Sequence, residues 1–434
     1  MPILQNGTLH MTDKKIKILT LGDHPLLPSG VGTQSKNMIE SLLKTGKYKF
    51  ISLGGAIRHE NYQPIKTEEY GDDWMIVPVD GYGDAFKLRA ALWTEKPDIL
   101  WFMTDPRFWG WLWELEDEVR PNVPMIYYHV WDNYPYPKYN KAFYESNDHI
   151  ATISRLTDDI VANVAPDVDR THIPHAVNTH IFKPLPEEQV DKMRHENFFN
   201  QWKGDDDRFL VFWNNRNARR KMSSSVIWWF KSFLDKVGHD KATLLMHTNP
   251  HDENGPNLTA VVNEFGLADG QVLFSSNPLP TEQMAMMYNM ADVTVNLSDA
   301  EGFGLGTLES LACGTPIIVN MTGGLQEQVT NGEEWFGVGL EPVSKALVGS
   351  QQVPFIYEDR VSEDDFVAAL TKIYEMPRHK RKELGSKGRD HVIENYGFDK
   401  FAKLWDEALT AVHDKNGSWG TRKNYKSWTL DKIA

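Results

Sequence analysis

The chain has 434 residues, 41% of them hydrophobic and 24% charged, the balance of an ordinary soluble protein too long for one hydrophobic core, so two domains are expected. The formal charge of -14 disfavours a surface that grips polyanions everywhere, which makes nucleic acid a minor expectation as partner without excluding it. A single cysteine, Cys313, excludes an internal disulfide and suits a reducing compartment, and no run of about 18 apolar residues occurs, so a cytoplasmic protein without a transmembrane segment is expected.

In chain order, KIKILTLGD (15–23) predicts a strand that ends in a turn. PSGVG follows as a glycine loop carrying Gly30 and Gly32, and then TQSKNMIESLLKTG sets Met38, Ile39, Leu42 and Leu43 at helical spacing. Further strands are predicted at YKFISLGG (48–55), DILWFMT (98–104), PMIYYHV (124–130) and HIATIS (149–154), with helical or irregular sequence between them. Alternation of this kind indicates a parallel sheet covered on both faces. Prolines, charge and the run GDDD (204–207) then mark a boundary, giving a first domain over 1–185 and a linker over 186–207. A second series, RFLVFWN (208–214), ATLLMHT (242–248), QVLFSS (271–276), DVTVNLS (292–298) and TPIIVN (315–320), predicts a second domain over 208–394. A terminal helix over 395–413 and a loosely structured tail over 414–434 follow. The fold class is therefore α/β, with two facing doubly wound, Rossmann-like parallel-sheet domains and a ligand cleft between them.

The most informative stretch is SDAEGFGLGTLESLACGTPIIVN (298–320), where Glu301 and Glu309 bracket a glycine-rich run. Glu301 falls in the loop just past a strand, and Gly302, Gly304 and Gly306 let the backbone turn tightly. Glu309 falls in the first turns of a helix whose unpaired N–H donors and partial positive charge favour phosphate. Ionised carboxylates accept hydrogen bonds from hydroxyls, so phosphate and sugar in one pocket point to a sugar nucleotide. On this segment alone a plainer reading stands beside it: a strand, a glycine turn and a helix with a carboxylate at its positive end.

EGFGLGTLE resembles the Glu-x7-Glu signature of retaining glycosyltransferases of family 4, which have the GT-B fold. HIPHAVNTHIFKP (172–184) is similar to that family's inter-domain segment, VFWNNRNARRK (211–221) to its phosphate-binding stretch, and residues 287–332, including GGLQE, follow its pattern almost continuously. His175, Ala176 and Asn215 depart from the pattern beside the charged positions. The resemblance implies that Arg216 and Lys221 neutralise the diphosphate leaving group, with Arg219 or Arg220 open as a sharer of that task. It implies that Glu309 holds the nucleotide ribose and Glu301 contacts the donor sugar. Backbone from Gly302, Phe303, Gly304 and Leu305, and from 322–325 with Gly323 and Gly324, would line sugar and phosphate. Gly30 and Gly32 match the family's N-terminal glycine loop, and His129 falls where the family has a histidine facing the donor sugar. The terminal helix would pack back on the first domain.

The resemblance implies no metal and no cofactor beyond the nucleotide-sugar co-substrate, and GDDD reads as a solvated charge run. A dinucleotide fingerprint fails at the first glycine loop, because Ser35 occupies its third glycine position and FISLGG ends without an acid. Asp132 is a weaker candidate for the sugar pocket. Tyr134 and Tyr136 are the candidates for acceptor contact, whereas Trp109 and Trp113 read as core. The basic stretch 378–389 reads as a solvated helix face that also offers peripheral membrane contact. The expected activity is transfer of a hexose or pentose, with retention, from a nucleotide diphosphate sugar to a hydroxyl. Acceptor classes are a glycan, a lipid, a small molecule or, least favoured, a modified DNA base. A nucleotide-sugar epimerase and a non-catalytic sugar-nucleotide binder are the alternatives.

Overall fold

The structure, a computed structural model, describes residues 14–198 and 208–426. Its strands in chain order are β1 (Ile16–Asp23), β2 (Tyr48–Gly55), β3 (Ile65–Lys66), β4 (Trp74–Pro78), β5 (Ile99–Met103), β6 (Met125–His129), β7 (His149–Thr152), β8 (Arg170–His172), β9 (Phe209–Asn214), β10 (Ala242–His247), β11 (Val272–Ser275), β12 (Val293–Asn296), β13 (Ile317–Asn320), β14 (Gly337–Leu340), β15 (Ser344–Val348) and β16 (Ile356–Arg360). β1 to β8 form one sheet in the order β3-β4-β2-β1-β5-β6-β7-β8, parallel except for the β3–β4 pair. β9 to β14 form a second, parallel sheet in the order β11-β10-β9-β12-β13-β14, and β15 and β16 form a separate antiparallel hairpin. Strands buried on both faces read as continuous apolar runs, and β5 (ILWFM) is buried throughout.

Strand order reverses between β1 and β5 in the first sheet and between β9 and β12 in the second. Such switch points open crevices beyond the carboxyl ends of their strands, so four loops are thrown together there: those after β1, β5, β9 and β12.

The segment expected as a linker is largely the helix Glu187–Phe198, with Val190, Arg194 and Phe198 buried; GDDD (204–207) lies outside the described residues. The terminal helix Phe398–Asn416 packs along the helix Gly30–Leu43 of the first domain. Its Trp405 is fully buried, edge-on to Trp101 at 5.9 Å and to Tyr128 at 4.9 Å, while Tyr48 donates to the Asp406 carboxylate at 2.6 Å. Trp405→Ala is expected to cost about 3–5 kcal/mol through the cavity it leaves, read from the midpoint of urea unfolding.

Residues 414–426 are not the loose tail their composition suggests. Ser418 donates to Asp98 at 2.8 Å, the Trp419 indole to the Pro97 carbonyl at 2.8 Å, and the almost fully buried Arg422 guanidinium reaches Asp148 at 2.6 Å. Each partner belongs to the first domain, so polar anchoring holds a segment that lacks apolar periodicity. Trp109 and Trp113 are buried against Phe102. Among the described residues, no helix is long and apolar enough to cross a membrane.

Candidate active site

A cleft of about 1150 Å³ lies where the four switch-point loops meet. The second domain supplies most of its charge. β9 ends at Asn214, and the chain then runs through Arg216 into the turn Arg219–Lys221, which lies against the loop after β12: the Asp299 amide donates to the Arg220 carbonyl at 2.8 Å. This pairing carries Lys221 beneath Glu301. The two side chains form an ion pair, only 9% and 12% exposed, and Asn296 adds a bond to the same carboxylate oxygen at 3.3 Å. Burial opposes ionisation of Glu301, yet Lys221 and Arg220 outweigh it and hold the carboxyl down to about 2. Burial, with Arg220 beside it, lowers the Lys221 ammonium, and Glu301 pulls it back.

The glycine run forms a sharp bend. Gly304 has φ +91°, a conformation other residues rarely adopt, and caps the helix Leu305–Ala312, whose first residues, Leu305 and Gly306, line the cleft. Gly323, at φ +51°, packs so closely under the bend that an added Cβ would sit 1.7 Å from the Glu301 carbonyl, and the Gly324 amide donates to that carbonyl at 3.1 Å. Gly323 and Gly324 therefore brace the bend and do not line the cleft. Gly302, Phe303, Gly304 and Leu305 do line it, although the Phe303 ring is buried on His175 at 5.0 Å. One helical turn further, Glu309 accepts from the Tyr288 hydroxyl at 2.8 Å, and Tyr288 accepts from Asn214 at 2.7 Å. Burial pushes the Glu309 carboxyl up to about 7.

The remaining basic side chains divide. Arg216 lines the rim, but its guanidinium forks onto Asp252 at 2.7 and 3.3 Å and is 66% exposed. Arg219 is tied to the buried Glu358 of the β15–β16 hairpin. Arg220 reaches into the cleft and donates to the Ala300 carbonyl at 2.5 Å, so it stands closer to the Lys221–Glu301 pair than the expected Arg216 does. The hairpin bridges the domains: Asn133 donates to the Tyr357 carbonyl at 2.7 Å and Tyr139 to the Phe355 carbonyl at 2.8 Å, while Val348, Gly349 and Val353 wall the cleft.

On the first-domain side Gly30 lines the cleft, whereas Gly32 lies inside the turn, its amide bonded to the Ser29 hydroxyl at 3.0 Å. Asp132 faces Arg220 and Lys221, and burial, partly offset by those cations, raises its carboxyl to about 6. His129 does not face the cleft. It is fully buried with Nε2 on the Tyr144 hydroxyl at 2.8 Å, and burial lowers its ring to about 3, so it stays neutral. Tyr134 and Tyr136 also turn away, both donating to Asp159, at 2.7 and 3.0 Å. His129→Asn is expected to cost about 1–3 kcal/mol of stability through the buried hydrogen bond lost to the Tyr144 hydroxyl, with kcat within about tenfold of wild type. Thermal unfolding beside steady-state kinetics checks this, and a folded variant slowed by orders of magnitude would restore a direct role.

Sequence reasoning missed Asn214, Asn296, Tyr288, the hairpin and Asp105, which lines the cleft from the loop after β5. The first two carried a usable signal, as polar residues closing otherwise apolar strands. Among the described residues, no group of three or more His, Cys, Asp or Glu side chains is arranged to hold a metal ion.

Two doubly wound sheets facing across a cleft, with phosphate-sized donors on the second domain, define the GT-B architecture. Residues 196–391 match the family model described as glycosyl transferases group 1. Among similar proteins, D-inositol 3-phosphate glycosyltransferase from Thermomonospora curvata is 31% identical over 157 residues, 36% of this chain and 31% of the relative. The chain thus spans less than a third of that curated relative. The fold extends further: sucrose-phosphate synthase from Thermosynechococcus elongatus superposes with a TM-score of 0.72 at 18% identity, over 93% of this chain and 100% of that one. HepE from Anabaena, solved with UDP and glucose, superposes with a TM-score of 0.65 at 12% identity, over 91% of this chain and 100% of that one.

Proposed function

We propose that the chain transfers a sugar from a nucleotide diphosphate sugar to an acceptor hydroxyl with retention of anomeric configuration. The observation that carries this reading is the buried Lys221–Glu301 pair, flanked by Arg220, at the foot of the glycine bend. A pyrophosphate laid over the first amides of the helix Leu305–Ala312 meets Lys221 and Arg220 at once, and Arg216 joins by exchanging Asp252 for phosphate. Charge held in place before reaction stabilises the diphosphate as it leaves and costs no reorganisation. Glu309, fixed through Tyr288 and Asn214, faces the ribose hydroxyls. Acceptor hydroxyls enter past Asp105, Asp132 and Asn133 on the first domain.

Glu301 is committed to Lys221, and the reaction follows a front-face route. The bond from the anomeric carbon to the phosphate oxygen breaks, the bond to the acceptor oxygen forms on the same face, and the acceptor proton passes to the departing phosphate. The hairpin and the terminal helix keep the domains together around this event and limit hydrolysis. HepE was solved with UDP and glucose, which makes UDP-glucose the first donor to try. The Thermomonospora relative's name makes inositol phosphate one of the first acceptors.

The test is incubation with pooled nucleotide sugars and acceptors, followed by NMR of the product. Acceptor-dependent release of nucleoside diphosphate with the donor's anomeric configuration kept is the expected result. Isomerised donor without acceptor would indicate an epimerase, and binding without release a non-catalytic protein.

Glu309→Gln is expected to weaken nucleoside diphosphate binding about tenfold, the worth of one charge-assisted hydrogen bond. Because Glu309 ionises near 7, wild-type affinity should rise as pH rises through that value, and the variant should lose this dependence. Calorimetric titrations between about pH 6 and 8 decide it.

A further inference from the structure

The amino-terminal end of the second sheet, opposite the cleft, carries a feature that sugar transfer does not use. β9 delivers Asn214 to the cleft, and at its other end Arg208, the residue before Phe209, opens on a separate cavity of about 440 Å³. Six strand residues put the two sites about 20 Å apart. Among the described residues the lining holds five cations, Arg194, Arg208, Lys241, Arg378 and Arg381, against three aspartates, Asp191, Asp240 and Asp292, an excess of two positive charges on a chain of formal charge -14.

Each aspartate is already engaged. Asp292 is shared by Arg194 and Arg381, both at 3.0 Å, Asp191 takes Arg378 at 2.5 Å, and Asp240 takes Lys241 at 3.2 Å. Arg208 is different: it is 7% exposed, and among the described residues its Nε and Nη1 have no hydrogen-bond partner. Guanidinium N–H groups stripped of water and given no acceptor are costly, and such groups beside a positive cavity are what an oxyanion site needs. The same wall presents Phe209 and Tyr374, edge-to-face at 5.4 Å, an apolar rest for whatever carries the anion.

We propose that this cavity is a second ligand site, separate from the cleft, that binds a small phosphomonoester. Its phosphate lies on Arg208 between Lys241 and Arg381, and its carbon body rests on Phe209 and Tyr374. A phosphate dianion matches the excess of two charges, and the volume suits one small metabolite. The site also sits where Arg194, from the helix Glu187–Phe198 that leads from one domain to the other, reaches the Met290 carbonyl at 2.9 Å.

The experiment is calorimetric titration of the full chain with glucose 6-phosphate, inorganic phosphate and glucose at fixed ionic strength, with the cleft empty and with it saturated by a nucleoside diphosphate. One site for the two phosphates, none for glucose, is expected, unchanged by the nucleotide or by Lys221→Ala. Arg208→Gln should weaken it at least tenfold. Lys241→Gln, at a side chain that is half-exposed and so expected to change stability little, should weaken it several-fold and decides the matter if Arg208→Gln does not fold. Displacement by the nucleoside diphosphate, loss in Lys221→Ala, full affinity in a folded Arg208→Gln or Lys241→Gln, or no binding up to about 10 mM phosphate would each overturn the proposal.

Discussion

Lys221→Ala should reduce turnover by a factor of about 10²–10³, the usual consequence of deleting one preorganised donor from a site where negative charge develops. The same change strands Glu301, which is 12% exposed, without its ammonium partner. Breaking a buried pair from one side costs about 3–5 kcal/mol, and Arg220, still beside the carboxylate, should keep the loss near about 3. The kinetic effect, about 2.7–4 kcal/mol, is similar in size to the stability effect, and the two are separated by comparing turnover with the fraction folded by circular dichroism. A folded variant with near-normal kcat would remove Lys221 from the chemistry.

Glu301→Gln attacks the pair from the other side and should be as severe, because the amide keeps the shape but leaves Lys221 and Arg220 facing one another across a buried site. A fall in kcat of about 10²-fold is expected, with about 3 kcal/mol lost in stability. Its pH signature is distinctive. The folded carboxyl ionises at about 2, below its ordinary 4.5, so the stabilisation it brings is fully present above pH 4.5 and is lost as pH falls through 2. Wild-type protein should lose stability over that window, and Glu301→Gln should lose less there, since part of its stability is already gone at neutral pH. Urea midpoints measured from about pH 6 down to pH 2 would show it, and parallel wild-type and variant curves would contradict the pairing.

Much of this was legible in the sequence because the switch-point loops are written in residue types with few other uses. Glycines at 302, 304 and 306 between two glutamates, following an apolar strand, leave little choice of backbone, and the basic turn after β9 sits at the equivalent point of the same sheet. What escaped is tertiary. Nothing local shows that Arg216 will meet Asp252 while Arg220 turns inward, because Asp252 belongs to a loop after β10 whose position depends on the whole sheet. His129 closes a strand at a position that the resemblance assigned to the sugar, yet the neighbouring helix brings Tyr144 to it first. Strands β15 and β16 show no buried alternation, since most of their residues are exposed or half-buried, and the bonds that fix the hairpin to the first domain fall on its own backbone, where no side-chain pattern records them. Tyr134 and Tyr136 were drawn toward the acceptor by their aromatic setting, but Asp159 on the next helix satisfies both hydroxyls.

The central claim is that the cleft binds a pyrophosphate between Lys221, Arg220 and the amides of the glycine bend. Titrating UDP, GDP and ADP into wild-type protein and Lys221→Ala at fixed ionic strength tests it most directly. One nucleoside diphosphate should bind wild type at a single site, with affinity at least tenfold lower in the variant and the corresponding monophosphate much weaker in both. Equal affinity of wild type and a folded Lys221→Ala, or no preference for diphosphate over monophosphate, would contradict it.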